Sequence, residues 1–374
     1  MSISDEALKQ LLEGPALDPP PGMHPNFIDP PNLQSQIRAV EILTLLLATF
    51  AVVTRIYTKA RILKRVASED YLCFLSWALY VAVYIPTILG SNATANRHQW
   101  DVKLKDMKDF LFYKSIVVTM YGFVVLAMKT SILIQYIKIF SMNRRKSFYW
   151  KCHALIWLNV VFYLTLAFLE IFACSPREKI WTPWLPGGKC LRVREVNVSA
   201  AAVNVVSDFV MVLLPQKHVW KLNISTRNRL GISLAFATAI LASICAAVRL
   251  KYAVIYLRHD DFTWLYSQMA IWMFLELGIG IVACCLPTLP RFFKALAEKP
   301  LFSSINSTLH SFLSPSNRNN SDKSTSPSTV QGHKSSAGHI NHAPSETYEE
   351  LEEDFELPIQ NPLSSRSRVY KASV

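Results

Sequence analysis

Seven apolar runs, each close to the length of a bilayer crossing, follow one another along this chain at 37–57, 71–90, 116–139, 152–174, 198–214, 230–250 and 267–286. A helix needs about 20 apolar residues to cross a hydrocarbon core. The backbone must then satisfy its own hydrogen bonds, because lipid offers no partners. One such run reads equally well as a buried core helix, but seven in succession argue against that. Composition agrees: 18% of the 374 residues are charged, below the roughly 25% of a soluble domain. The expected fold is an all-α integral membrane bundle of seven transmembrane helices.

Charge placement predicts its orientation. Arg38 alone stands at the start of the first run, whereas Arg55, Lys59, Arg61, Lys64 and Arg65 crowd its end. Basic residues favour the cytoplasmic side, so the N-terminus is expected outside and the C-terminus in the cytoplasm. The expected layout is a polar extracellular segment over 1–35, a membrane domain over 36–296 and a disordered, serine-rich cytoplasmic tail over 297–374. Residues 1–35 are polar and proline-rich and carry no secretory signal, so the first run is expected to act as an uncleaved insertion signal. The net charge of +12 sits in short clusters between apolar runs, a membrane-flanking pattern that does not suggest nucleic-acid binding.

In that orientation Cys174 and Cys190 lie outside, where a disulfide can form. They are either bridged, with Trp181 and Trp184 ordered as an aromatic lid, or two separate thiols. The sequons at Asn92 and Asn197 also fall outside and are candidate glycan sites, Asn197 close to the membrane. Pro86 is expected to kink the second span, and Pro215, Pro287 and Pro290 to mark the inner ends of the fifth and seventh.

No phosphate-binding glycine loop or metal-spaced histidine cluster is present, and Cys284-Cys285 read as packing residues. The seventh run has no lysine for a retinal Schiff base, so no cofactor is expected. Ionisable residues in a bilayer are costly and usually face the interior. Glu41, Lys114, Glu170, Arg249 and Arg55 fall near span ends, where they can snorkel. Lys129, Asp208 and Glu276, in the third, fifth and seventh spans, fall about 13–20 Å deep at 1.5 Å per residue. Lys129 can pair with one carboxylate and leave the other protonated, with Asn204 one turn from Asp208. This set reads as a polar ligand pocket, a proton relay or an acid site, or as an interhelical polar clamp.

The motifs along the core resemble a known family. They comprise Arg55-x-Tyr57, Glu69-Asp70-Tyr71 with Trp77, the stretch from Lys129 to Phe140, Cys174 and Cys190 around Pro176 and Trp181, Asn204 to Asp208 with Pro215, and Trp272-x-x-x-Glu276 with Cys285-Leu-Pro287. Their order over about 36–292 is similar to that of the fungal rhodopsin-domain family of seven-helix membrane proteins. The resemblance adds Trp272 to the candidate site. The leading reading is a receptor-like, non-enzymatic protein that binds or senses a small ligand, and the resemblance implies a secondary-metabolite or host-interaction setting for it. Its partners would be membrane lipid, that ligand and a cytoplasmic signalling protein. An integral membrane enzyme with terpene-cyclase-like acid catalysis, or a metabolite transporter, is the alternative.

Overall fold

The computed structural model describes residues 5–140, 146–219 and 226–297. A short helix, α1 (Asp5–Glu13), precedes seven long ones: α2 (Gln34–Tyr57), α3 (Ser68–Thr94), α4 (Leu104–Phe140), α5 (Lys146–Ile171), α6 (Val193–Val219), α7 (Thr226–Tyr256) and α8 (Phe262–Cys285). A 3₁₀ turn then leads into α9 (Leu289–Ala297). Seven helices are long and apolar enough to cross a membrane, so the protein is a multi-pass, all-α integral membrane protein. Each expected span is present, and several are longer than their apolar runs: α4 begins at Leu104 and α7 continues to Tyr256. The tail expected over 297–374 lies outside the described residues beyond Ala297.

Leu46, Phe50, Ile85, Trp157, Leu158 and Val206 are all exposed on the outer faces, as suits a surface solvated by lipid. The core gathers instead around α8, where 67% of the apolar window is buried, against 17–44% in the other six spans. Two glycines permit this close packing. A Cβ on Gly278 would stand 2.7 Å from the Thr44 Cβ of α2, and one on Gly280 would collide with the Met128 side chain of α4. Pro86 lies within α3, and Pro215 lies inside α6, which continues to Val219. Pro215 thus stands one residue before Gln216, where the fifth apolar span ends, although the helix itself runs on. Pro287 sits in the 3₁₀ turn after α8, and Pro290 opens α9, where a missing N–H is tolerated.

At one end of the bundle, Cys174 and Cys190 are joined by a disulfide. They pair directly in a two-stranded hairpin, β1 (Cys174–Ser175) against β2 (Lys189–Cys190), that links α5 to α6. Gly187 and Gly188 take positive φ angles of 77° and 72° to reverse the chain there. Trp181 sets its ring edge-on against Phe112 of α4, 5.4 Å between centroids. The N-terminal segment folds onto this same end and is more than a polar tail. The backbone N–H of Ala16 bonds to the Val102 carbonyl, Asn26 N–H donates to Asp101 Oδ1 at 2.8 Å, and Leu33 N–H donates to the Asn96 carbonyl. Lys103 and Lys105 both bond the Glu13 carboxylate, at 2.7 and 2.6 Å, and hold its pKa down at about 2.

The opposite end is tied by Arg55. Its guanidinium donates to Asp70 Oδ1 at 2.8 and 2.5 Å and also reaches Gln135 and the Cys284 carbonyl. One side chain of α2 thus holds α3, α4 and α8. Asp70 also accepts from the Ala67 N–H at 3.0 Å, which caps the start of α3. Arg55 does not snorkel; it is 2% exposed. A Gly278→Val substitution, which forces α2 away from α8, is expected to cost about 1–3 kcal/mol. Thermal unfolding of the detergent-purified protein would measure this as a lowered midpoint, whereas Leu46→Val on the lipid face should leave the midpoint unchanged.

Candidate functional site

Between these two ends, side chains from five helices form one polar network. Lys129 of α4 is 1% exposed and places its ammonium 2.7 Å from Asp208 Oδ1 of α6. It also donates to Asn204 Oδ1 at 2.8 Å. Asn204 and Asp208 are four residues apart and share one helical face. The Asn204 amide in turn donates to Glu276 Oε1 of α8 at 2.9 Å, and its side-chain oxygen accepts from the Tyr163 hydroxyl of α5. The three deep residues are thus brought together, with Asn204 as the bridge.

Glu276 has its own cation, which the sequence did not disclose. Arg249 of α7 donates from Nε to Glu276 Oε2 at 2.9 Å and from Nη2 to the Tyr121 hydroxyl at 2.6 Å. Tyr121 of α4 donates to Glu276 Oε1 at 2.9 Å and lies under the guanidinium, 4.8 Å from ring centroid to Cζ. Two cations therefore face two carboxylates, so the carboxylate that Lys129 does not pair with has a cation of its own. Arg249 was expected at the membrane edge because its apolar run stops at Leu250. The helix continues six residues further, to Tyr256, which places Arg249 about 10 Å below that end. It reaches inward to the network and does not snorkel outward.

Directly over this network, towards the disulfide end, lies a cavity of about 130 Å³. Its floor is Tyr121, Tyr163, Asn204 and Arg249, and its walls include Val118, Leu166, Ala201, Ala253 and Met273. Lys129, Asp208 and Glu276 do not line it; they hold the residues that do. Trp272 does not line it either. On α8 the cavity-facing positions are Phe262, Tyr266, Met269, Ala270 and Met273, and Trp272 is rotated by about 100° from Met273. Neither Trp181 nor Trp184 contributes to the lining, so the hairpin aromatics form no inner lid. Of the two sequons, Asn92 is exposed in the last turn of α3. Asn197 lies on α6, half-buried and lining the cavity.

The sequence matches the family described as "Fungal rhodopsin domain" across residues 54–295, which includes every helix of the network. The chain belongs to this family. It is 30% identical to the "Fugralins biosynthesis cluster protein 2" of Gibberella zeae over 96% of this chain and 88% of that one. It is 35% identical to the "SAT4 family membrane protein" of Emericella nidulans over 56% of this chain and 52% of that one. It is 20% identical to the "Receptor GIN3" of Arthrobotrys oligospora over 82% and 73% of the two chains. No solved structure matches it. Its relatives thus include a protein named for a biosynthesis cluster and one named as a receptor. The family match omits α1, the folded N-terminal segment and most of α2, which carries the Arg38–Glu41 pair at 3.0 Å.

Removing one member of a buried ion pair strands the other, at about 3–5 kcal/mol. Lys129→Met is therefore expected to lower stability by that order. The double variant Lys129→Met/Asp208→Leu should recover much of the loss. A double-mutant cycle by unfolding in mixed micelles measures the coupling, and strictly additive losses would refute the pairing.

Proposed function

We propose that this protein is a receptor-like sensor that binds a small, mostly apolar molecule in the cavity near its disulfide end and does not transform it. The observation that carries this reading is that the cavity floor and the ion-pair network share side chains. A molecule resting on Tyr121, Tyr163, Asn204 and Arg249 touches the groups that fix α4, α5, α6, α7 and α8 relative to one another. Repositioning Arg249 or Asn204 on binding changes the pairing beneath, and a helix displacement can follow at the far end. A ligand shifts such an equilibrium only by its differential affinity for the two arrangements.

Non-enzymatic action draws support from the state of the deep carboxylates. Asp208 is paired with Lys129 and Glu276 with Arg249, so neither stands ready as an acid for protonating an apolar substrate. The setting comes from the relatives, several named for biosynthetic clusters and one named as a receptor. On this reading the disulfide end faces outside, Asn92 is the better placed of the two glycan sites, and a cytoplasmic partner reads the Arg55 end.

Filling the cavity tests the proposal. Ala201 is buried and lines it from α6. The purified protein is melted with fractionated organic extracts of fungal cultures. A bound ligand at a hundredfold excess over Kd stabilises by about 2.7 kcal/mol, a shift of several degrees. At least one fraction is expected to raise the melting temperature of the wild type and leave Ala201→Phe unchanged. A shift that persists in Ala201→Phe, or none with any fraction, would sink the reading.

A further inference from the structure

Outside the network, three charged side chains line the cavity, and two of them, Lys114 and Glu170, lack an ion-pair partner among the described residues. Lys114 of α4 lies ten residues into its helix, and Glu170 of α5 lies one residue before its end. Both are half-buried and both line the cavity. Among the described residues neither makes a hydrogen bond or an ion pair, although each is the charged group that acts most on the other. The Lys114 ammonium has only the Phe262 ring as a close partner, 5.6 Å away. The Asn197 carboxamide, on the α6 wall, likewise makes no side-chain hydrogen bond among the described residues.

Every other charge on or under the lining is matched. Lys129 has Asp208, Arg249 has Glu276, and Arg194 has Asp260 at 3.1 Å. Lys114 and Glu170 also balance each other, but across a gap. A ligand carrying a net charge would pair with one and leave the other stranded in a low-dielectric site, which is costly. A neutral group that both donates and accepts can bond the carboxylate and the ammonium at once. The volume sets the body of the ligand: about 130 Å³ is close to a cavity of roughly 150 Å³ known to admit benzene.

We infer, building on the ligand-binding reading above, that the cavity selects a net-neutral molecule with a ring-sized apolar body and one donor–acceptor head, a carboxamide or hydroxyl, set between Lys114 and Glu170.

Four probes sharing one ring test this: benzamide, benzyl alcohol, benzoate and benzylamine. Binding is measured by saturation-transfer NMR on the full chain in phosphatidylcholine nanodiscs at neutral pH, with empty nanodiscs subtracted. Wild type is expected to bind benzamide and benzyl alcohol at least about tenfold more tightly than either charged probe. Glu170→Gln should then favour benzoate and Lys114→Met should favour benzylamine, each by about tenfold, because each leaves one uncompensated charge. Ala201→Phe should abolish benzamide binding. The inference is overturned if wild type prefers a charged probe, if both variants keep the wild-type ranking, if benzamide still binds Ala201→Phe, or if no probe binds. The extract experiment judges the receptor reading separately: an extract ligand lost in Ala201→Phe alongside a charged-probe preference would remove only the neutral-head selection.

Discussion

A carboxylate inside a bilayer has no water to fall back on, and the centre of this protein is organised around that constraint at Glu276. It projects from α8, the helix with the largest buried share, and both of its oxygens are taken. Tyr121, Asn204 and Arg249 bring α4, α6 and α7 to it. Lys129, Asp208 and Tyr163 extend the connection to α5. Charge demands these partners in a way that apolar packing does not, since lipid is as apolar as leucine and gives helices little reason to associate. Gly278 and Gly280 let α2 and α4 come close to α8 by shape, and the polar groups then fix which neighbour stands where.

Arg55 plays the corresponding part at the opposite end, drawing Asp70, Gln135 and a backbone carbonyl of α8 to one guanidinium. Both networks border open space, since a pocket of about 180 Å³ lies against Arg55, Lys59 and Asp70. The Arg55 cluster is capped by helix ends and basic side chains, including Lys59 and Lys138 near Glu69. The Glu276 network opens on one side into a cavity. Space beside a fully paired network is where a small molecule can exchange contacts with the protein at modest cost.

Much of the architecture was legible because it follows from length and polarity. Seven runs gave seven helices, and the depth of Lys129, Asp208 and Glu276 marked them as a group. The cation for Glu276 was hidden for a specific reason: counting depth from the end of an apolar run assumes that the helix stops there. At Arg249 and Lys114 the helix continues through polar residues, so both sit deeper than hydropathy implies. Rotation was the second hidden quantity. Trp272 lies one residue from Met273, yet one step along a helix turns a side chain away from the cavity. Tyr121 and Tyr163 carried no signal in a sequence with 14 tyrosines, because only the packing of α4 and α5 gives their hydroxyls a partner.

The disulfide hairpin has a consequence for the cavity's dimensions. Glu170 lies near the end of α5 and Asn197 in the second turn of α6, so opposite walls of the mouth are continuous with the two strands that Cys174 and Cys190 lock together. α5 and α6 make little direct contact along the bundle. Their separation at the mouth is therefore gauged by a covalent staple, while farther down it is left to side chains that can rearrange. The result resembles a pair of tweezers joined at the top, whose arms are spanned lower down by side-chain hydrogen bonds, Tyr163 to Asn204 and Ser207 to Asn159.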